Sequence, residues 1–248
     1  MRLSPTYFEF LSEATLIITA AVMFAGAGMS ATITGDIEAM SRGQYSHGQQ
    51  PDLSDLVVWL EPAKGSATVP IQAARVKLLQ KNKTFTPHVL VIGVGTTVDF
   101  PNADPIFHSA FSNYNGQLFD LTLYPPGTTK SVRFRRPGIV RVFCNIHPAM
   151  SAIIVVVDTP YGTKARADGR YQIANVVPGK YELHVFDERA TGKAESPKQI
   201  VVTEEDSEVQ APLEQVSEQG YVPLSHKNKY GLEYPPEKDA ESYGGLPR

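Results

Sequence analysis

Hydrophobic and polar positions alternate in short runs along most of the chain, and no long stretch repeats with a helical period. The runs are rich in Val, Ile, Thr and Phe, and Gly, Pro and Asn residues separate them. Residues 54–60 are ambiguous between a strand and a helix. Many short strands at near-regular spacing predict an all-β antiparallel sandwich or barrel. Before residue 158 the predicted strands cover residues 32–37, 56–60, 75–79, 88–92, 96–100, 130–135, 139–143 and 152–157.

A second β-rich region follows residue 158, where the sequence pattern changes. Residues 167–173, 181–187 and 199–203 predict three further strands, which are too few to close a sandwich alone. We therefore expect residues 159–204 to form an appended β module that borrows strands from the preceding domain. The run ADGRYQIANVVPGKYELHVF within it resembles the carboxypeptidase-regulatory-like or transthyretin-like small β-sandwich.

The N-terminal segment is apolar. Residues 14–27 (ATLIITAAVMFAGA) are too few to span a bilayer comfortably, and Ala25 and Ala27 match an A-x-A cleavage pattern. The segment predicts a signal peptide over residues 1–27, with an uncleaved anchor and a buried helix as alternatives. We therefore expect the protein in the periplasm.

The C-terminal segment has a different composition. From residue 205 the chain is polar and acidic, and then rich in Pro, Tyr, Lys and Gly. Such a composition does not bury enough apolar surface to fold by itself. It predicts a flexible, disordered tail over residues 205–248, and the alternative is that its tyrosines dock it onto the body.

Charge narrows the possible partners. The chain of 248 residues has a formal net charge of -3 and no dense Lys/Arg block, so we expect no nucleic-acid partner. Arg133 and Arg135 share one face of a predicted strand. They belong either to a solvated sheet face or to a patch that steers an acidic redox partner. The basic residues in question are Lys130, Arg133, Arg135, Arg136 and Arg141.

The only cysteine lies in the stretch VFCNIHPAM, residues 142–150. Cys144 is followed at +3 by His147 and at +6 by Met150. A thiolate, an imidazole and a thioether suit copper, and a trigonal His₂Cys set with a long axial Met is the geometry of a blue-copper electron-transfer centre. Alternatively, Cys144 is a small buried hydrophobe or a thiol that pairs between chains.

A second histidine is needed, and His108 is the candidate. In VDFPNADPIFHSAFS it follows a predicted strand and a polar Pro/Asn/Asp turn, and it leads into an aromatic segment. We expect the other histidines to be ordinary polar residues. These are His47, His88, His184 and His226.

Two longer stretches resemble the cupredoxin family of plastocyanin- and amicyanin-like blue copper proteins. They are VGTTVDFPNAD, upstream of His108, and PPGTTKSVRFRRPGIVRVFCNIHPAM. The C-x₂-H-x₂-M loop is similar to the short amicyanin form. FTPHVLVIGVGTTVDFPN and FDLTLYPPG also resemble plastocyanin-like proteins of the methylamine-utilisation type.

The resemblance implies a Greek-key β-sandwich over residues 28–158. It also implies one type 1 copper ion held by His108, Cys144, His147 and Met150. Many relatives have Asn where this chain has Ser109. The Ser109 hydroxyl is then expected to brace the ligand loop, residues 144–150.

Missing motifs argue against several copper and haem enzymes. The sequence has no H-x-H pair for a trinuclear copper centre, no second cysteine for a dinuclear one and no C-x-x-C-H for haem attachment. With four protein ligands the metal has no open position, so we expect no enzyme activity.

The predicted function is single-electron transfer in the periplasm. We expect a monomer that meets a redox protein partner, a cytochrome c or a dehydrogenase, and contacts no membrane beyond the signal segment. The alternatives are a copper carrier or storage protein, and a structural β module with a vestigial copper site.

The loop also predicts where electrons leave. His147 lies mid-loop between apolar residues, so its ring edge is expected at the surface, where the partner docks. His108 is expected deeper, under Phe107 and Phe111, and Phe143 is expected to pack beside the site.

Overall fold

The computed structural model describes residues 30–40, 51–66, 68–113, 116–191, 196–223 and 225–234. The predicted signal peptide, residues 1–27, lies outside them. Within the described ranges all regular structure is β-strand. The same ranges contain no helical stretch long and apolar enough to serve as a membrane span.

The strands are short, as the sequence predicts, and they form an all-β sandwich fold. In chain order they are β1 (Ala31–Met40), β2 (Val57–Pro62), β3 (Arg75–Lys77), β4 (Leu79–Lys81), β5 (Thr84–Thr86), β6 (Val89–Gly93), β7 (Thr97–Pro101), β8 (Phe111–Ser112), β9 (Phe119–Asp120), β10 (Thr129–Arg133), β11 (Gly138–Phe143), β12 (Ser151–Val157), β13 (Gly162–Lys164), β14 (Arg170–Val176), β15 (Gly179–Phe186), β16 (Lys198–Val202), β17 (Glu208–Gln210) and β18 (Glu214–Ser217).

Two sheets enclose the first core. One has the strand order β6-β12-β11-β8-β9 and the other β10-β7-β3. Phe100 of β7 and Phe134, directly after β10, pack with Val142 and Ile154 of the larger sheet in one buried cluster. Burying such side chains stabilises the fold by about 1.5–3 kcal/mol each. Cys144 belongs to the same cluster, so the ligand loop is attached to the core.

Strand β12 is buried on both faces, which explains its unbroken apolar sequence. Ile154 and Val156 point into the first core. Ile153, Val155 and Val157 point the other way, into a cluster that includes Val57 of β2. Because side chains alternate along a strand, a strand between two apolar layers loses the polar alternation of a surface strand.

A second core is built from both ends of the chain. Its sheets have the orders β14-β1-β17, with β18 also on β1, and β13-β2-β15-β16. Ile33 of β1 pairs with Ile173 of β14, and Leu60 of β2 pairs with Leu183 of β15. The sequence predicts a copper domain over residues 28–158, which would include β1 and β2. The structure instead puts their side chains in the core of the second sandwich, because they supply the strands that residues 159–204 lack.

The tail prediction needs correction for part of its length. Residues 205–248 were expected to be disordered, yet β17 and β18 pair in parallel with β1. The prediction from composition is wrong here because strands pair through backbone N–H and C=O groups, and such pairing needs few apolar side chains. Ala211, between the two strands, is buried in the second core.

An ion cluster joins the two sandwiches. Glu188, just after β15, accepts from Arg141 of β11 at 3.1 Å and lies 2.5 Å from His88 Nε2, at the start of β6. The hydrogen bond to Glu188 raises the pKa of His88. Burial opposes ionisation of Glu188, but His88 and Arg141 outweigh it and lower the pKa of that carboxyl.

These shifts predict how stability depends on pH. A histidine with a raised folded pKa stabilises the fold fully below its ordinary value of 6.5, and the contribution is lost as pH rises through the folded pKa. Glu188 contributes above its ordinary value of 4.5, and its contribution is lost as pH falls through its lowered pKa. Between pH 6 and 9, the native protein should therefore lose roughly 0.2–1 kcal/mol more unfolding free energy than His88→Gln loses. Urea unfolding at several pH values measures this, and parallel pH curves for the two proteins would contradict it.

Candidate metal centre

The ligand loop is the connection between β11 and β12. Phe143, the last residue of β11, pairs with Ser151, the first residue of β12. The Cys144 N–H donates to Met150 O at 3.1 Å, and the Met150 N–H donates to His147 O at 3.0 Å. The loop is thus closed by its own backbone, and three of the predicted donors lie at one end of the larger sheet.

His108 reaches the same end of the sandwich from the segment between β7 and β8. Its N–H donates to Tyr124 O at 3.2 Å, and the Tyr124 N–H donates back to His108 O at 2.8 Å. Tyr124 is buried, and its hydroxyl donates to Phe100 O at 3.0 Å. This bridge fixes the His108 backbone against the core.

Three predicted donors converge. Cys144 Sγ lies 3.5 Å from His147 Nδ1 and 3.9 Å from His108 Nδ1. The three ligand atoms all lie within 4.8 Å of one another, and no other such group of His, Cys, Asp or Glu occurs among the described residues. The two imidazole rings meet edge to face, with centroids 4.8 Å apart.

The spacing fits a metal ion. Metal–sulfur and metal–nitrogen bonds of about 2.3 and 2.0 Å, meeting at about 120°, hold sulfur and nitrogen about 3.7 Å apart. The two observed distances lie on either side of that value. A soft thiolate with two imidazoles is also a donor set that copper and zinc prefer.

The environment of Cys144 favours the thiolate. Burial raises the pKa of this thiol, but hydrogen bonds from His108 and His147, and from the backbone N–H groups of Ile146 and Ser109, outweigh it. They lower the pKa of Cys144 to about 5. The thiolate, which is the metal-binding form, therefore dominates at neutral pH.

Asp104 holds the His108 ring, and sequence reasoning did not single it out. Its Oδ2 lies 2.7 Å from His108 Nε2 and accepts the Nε2–H, while Nδ1 faces the sulfur of Cys144. The carboxylate also accepts the N–H groups of Asn82 at 2.6 Å and Lys83 at 2.9 Å. Burial raises the pKa of Asp104, but these hydrogen bonds outweigh it and the net shift is downward. An aspartate in the turn four residues before the histidine was the available signal.

Ser109 braces the loop as expected. Its hydroxyl accepts the N–H of Asn145 at 2.8 Å and lies 3.7 Å from Cys144 Sγ. Met150, the predicted axial ligand, is fully buried in the same apolar cluster as Cys144.

The aromatic surroundings differ in part from expectation. Phe111 and Phe143 pack together beside the site, with ring centroids 5.9 Å apart. Phe107, which was expected to cover His108, is itself 46% exposed. His108 is nevertheless fully buried, whereas His147 is 9% exposed.

The other histidines are placed as follows. His88 contacts Glu188, and His184 stacks on Trp59 with centroids 5.1 Å apart. His47 lies outside the described residues. His226, expected to be an ordinary tail residue, instead stacks on Phe143 beside the ligand loop.

No family model and no curated protein matches the chain. Solved structures match parts of it. A purple cupredoxin from Nitrosopumilus maritimus is 28% identical over 34% of this chain and 99% of its own, with a TM-score of 0.30. A copper-containing nitrite reductase from Thermus scotoductus SA-01 is 26% identical over 48% of this chain, a match that spans only 28% of the reductase, with a TM-score of 0.32. Amicyanin from Paracoccus versutus is 18% identical over 40% of this chain and 97% of its own, with a TM-score of 0.32.

The first of these proteins is described as a cupredoxin and the second as a copper-containing enzyme. The all-β sandwich fold follows from the strands and sheets described above. The resemblance of residues 167–186 to a carboxypeptidase-regulatory-like module stays a prediction.

The role of Asp104 is testable through metal affinity. Asp104→Asn keeps the shape but removes the charge that orients His108, so it should lower the affinity for Co²⁺ about 10- to 100-fold. Chelator competition measures the affinity. Asp99→Asn is the matched control, because Asp99 is also buried in this sandwich but pairs with Arg75. Equal losses in both variants would show that Asp104 has no specific part in the site.

Proposed function

We propose that this chain is a type 1 copper protein that carries single electrons between redox partners in the periplasm. The observation that carries the proposal is the convergence of His108, Cys144 and His147 at spacings that fit one metal ion. His108, Cys144 and His147 would hold the copper, with Met150 as the axial ligand. A bound copper ion supplies a one-electron couple between Cu(I) and Cu(II).

The chain's own contribution is a donor set with little freedom to move. Cys144 and His147 lie on a loop closed by its own backbone hydrogen bonds. His108 is held at its backbone by Tyr124 and at its ring by Asp104. Rigid donors need little rearrangement when the charge on the metal changes, which favours fast electron transfer over slow ligand exchange.

Burial separates this function from the alternatives. A copper carrier or storage protein needs exposed, flexible donors that can pass the ion on. Here His108, Cys144 and Met150 are fully buried, which also excludes water from the site. A vestigial site would retain the fold without bringing the donors together, whereas His108, Cys144 and His147 converge here.

The surface around the loop suggests where a redox protein docks. His147 is the one donor of the three with exposed surface, and its neighbours Pro148 and Ala149 are exposed. This supports His147 as the exit for electrons toward a cytochrome c or a dehydrogenase. A small apolar patch suits a weak, short-lived encounter.

Most of the basic residues near the loop are engaged within the chain. Lys130 donates to Leu121 O, Arg133 to Gly95 O and Arg141 to Glu188. Arg133, Arg135 and Arg136 are exposed, and a hydrogen bond to a carbonyl leaves the charge of Arg133 in place, so electrostatic steering would rest on these three.

The copper assignment is tested by Cys144→Ser. A hydroxyl cannot replace the thiolate, so the intense visible band of the copper-loaded protein should disappear. Absorption spectroscopy of the copper-titrated native and variant proteins is the measurement. If the serine variant kept the band, the assignment of Cys144 as a ligand would be wrong.

The exit port is tested by removing each histidine ring. His147→Gly opens a hole near the surface, so added imidazole should restore copper binding and the visible band. His108→Gly removes a fully buried ring and should respond poorly to imidazole. Equal rescue of both variants, or of neither, would contradict the placement of His147 at the exposed edge.

A further inference from the structure

We propose that residues 225–234, called the C-terminal clasp, hold the ligand loop in its ligating conformation even without metal. His226 and Tyr234 are then positioning residues for the metal centre. The metal itself rests on the proposed function, whereas the contacts that hold the loop do not depend on it.

His226 bridges the two ends of the loop. Its ring stacks on Phe143, the last residue of β11, with centroids 3.9 Å apart and planes 26° apart. Its Nε2 donates to the backbone carbonyl of Pro148 at 2.8 Å. One side chain therefore fixes the start of the loop through packing and its far side through a hydrogen bond.

Tyr234 holds the residue that carries the thiol. Its hydroxyl donates to the backbone carbonyl of Cys144 at 2.8 Å and lies 3.2 Å from His226 Nδ1. The Tyr234 and His226 rings pack edge to face, with centroids 5.3 Å apart, so the two side chains support each other.

Lys229 adds a third attachment. Its backbone N–H donates to Asn145 Oδ1 at 3.0 Å, and its Nζ pairs with Asp120 of β9 at 2.8 Å. The Asn145 N–H in turn donates to Ser109 Oγ, which lies beside Cys144 Sγ. The clasp is thereby connected to the atoms around the thiol through two successive hydrogen bonds.

The clasp has a defined shape of its own. The Asn228 N–H donates to Leu232 O at 2.9 Å, and the Gly231 N–H donates to Asn228 O at 2.9 Å. Asn228 Oδ1 accepts the N–H groups of Tyr230 and Leu232. Gly231 has a φ of 75°, which glycine adopts without strain. This closed turn returns the chain on itself and brings Tyr234 back beside His226.

These contacts predict a measurable barrier to opening the loop. Cys144 is fully buried, so a reagent reaches its thiol only when the loop opens. Losing one hydrogen bond of about 1 kcal/mol raises an opening equilibrium about fivefold. Removing the clasp's hydrogen bonds should therefore speed modification of Cys144 in the metal-free protein.

The experiment measures alkylation of Cys144 by iodoacetamide in the full-length, metal-free chain. Tyr234→Phe removes only the hydroxyl, and His226→Phe keeps a ring on Phe143 but removes the donor to Pro148. Each should raise the rate about fivefold, and the double variant more than either. Tyr230→Phe is the matched control, because this tyrosine of the same segment is 70% exposed, and it should leave the rate unchanged.

Native alkylation rates in Tyr234→Phe and in the double variant would overturn the proposal, as would an equal rise in Tyr230→Phe. A cooperative thermal transition checks that each variant is folded. If the double variant loses it, Tyr234→Phe alone decides, since it lacks a single oxygen atom. A second readout is hydrogen exchange, which should quicken at the Cys144 and Met150 amides but not within β12.

The test separates this proposal from the copper assignment. Faster alkylation in the clasp variants supports the clasp even if the native protein binds no copper. Conversely, a visible copper band with unchanged alkylation rates would support the metal centre and overturn the clasp.

Discussion

Strand β12, residues Ser151–Val157, is buried between two apolar layers, and both sandwiches depend on it. Its even-numbered side chains fill the core beneath the metal site, and its odd-numbered ones fill the interface with β2 and β6. The strand begins directly after Met150, so the ligand loop ends at a strand that is buried on both faces. A buried strand with partners on both edges cannot shift register without moving apolar side chains out of both layers.

The site must reconcile a thiolate with a place in an apolar core. Burying an unpaired charge is costly, and Cys144 avoids that cost only because two histidines and two backbone N–H groups face its sulfur. Asp104 extends the same principle outward, since its charge is buried and satisfied by Asn82, Lys83 and His108. Each polar group in the site is thus held by another, and a metal ion would replace protons within an arrangement that already exists.

The parts predicted from sequence are those with local signals. Strands with regular alternation were found, and Cys144, His147 and Met150 were recognised because one loop contains all three. His108 was found because a Pro/Asn/Asp turn delivers it to the end of a strand. The ligand role of each residue stays a prediction, but the structure brings three of the four into one cluster.

The features that could not be predicted from the sequence are very short strands and contacts between residues far apart in the chain. Strands β8 and β9 have two residues each, too short for any periodicity. The assignment of β1 and β2 to the second sandwich follows from pairing with β14 and β15, more than a hundred residues away. Composition alone described residues 205–248 as a tail because it counts apolar side chains, whereas β17, β18 and the clasp attach mainly through hydrogen bonds and ring contacts.

The order of these attachments explains how a polar segment stays bound to the loop. The His226–Pro148 contact joins residues 78 apart in sequence. Closing a free loop of that length costs about 4 kcal/mol on the (3/2)RT ln n scale. Pairing of β18 with β1 fixes the chain at Ser217, nine residues before His226, and the corresponding cost falls to about 2 kcal/mol. Three hydrogen bonds to the loop, at about 1 kcal/mol each, and a ring stack exceed the smaller cost by a wider margin than the larger one. The parallel strands that follow the second sandwich therefore favour the clasp, and they couple the fold of that sandwich to the geometry of the candidate metal centre.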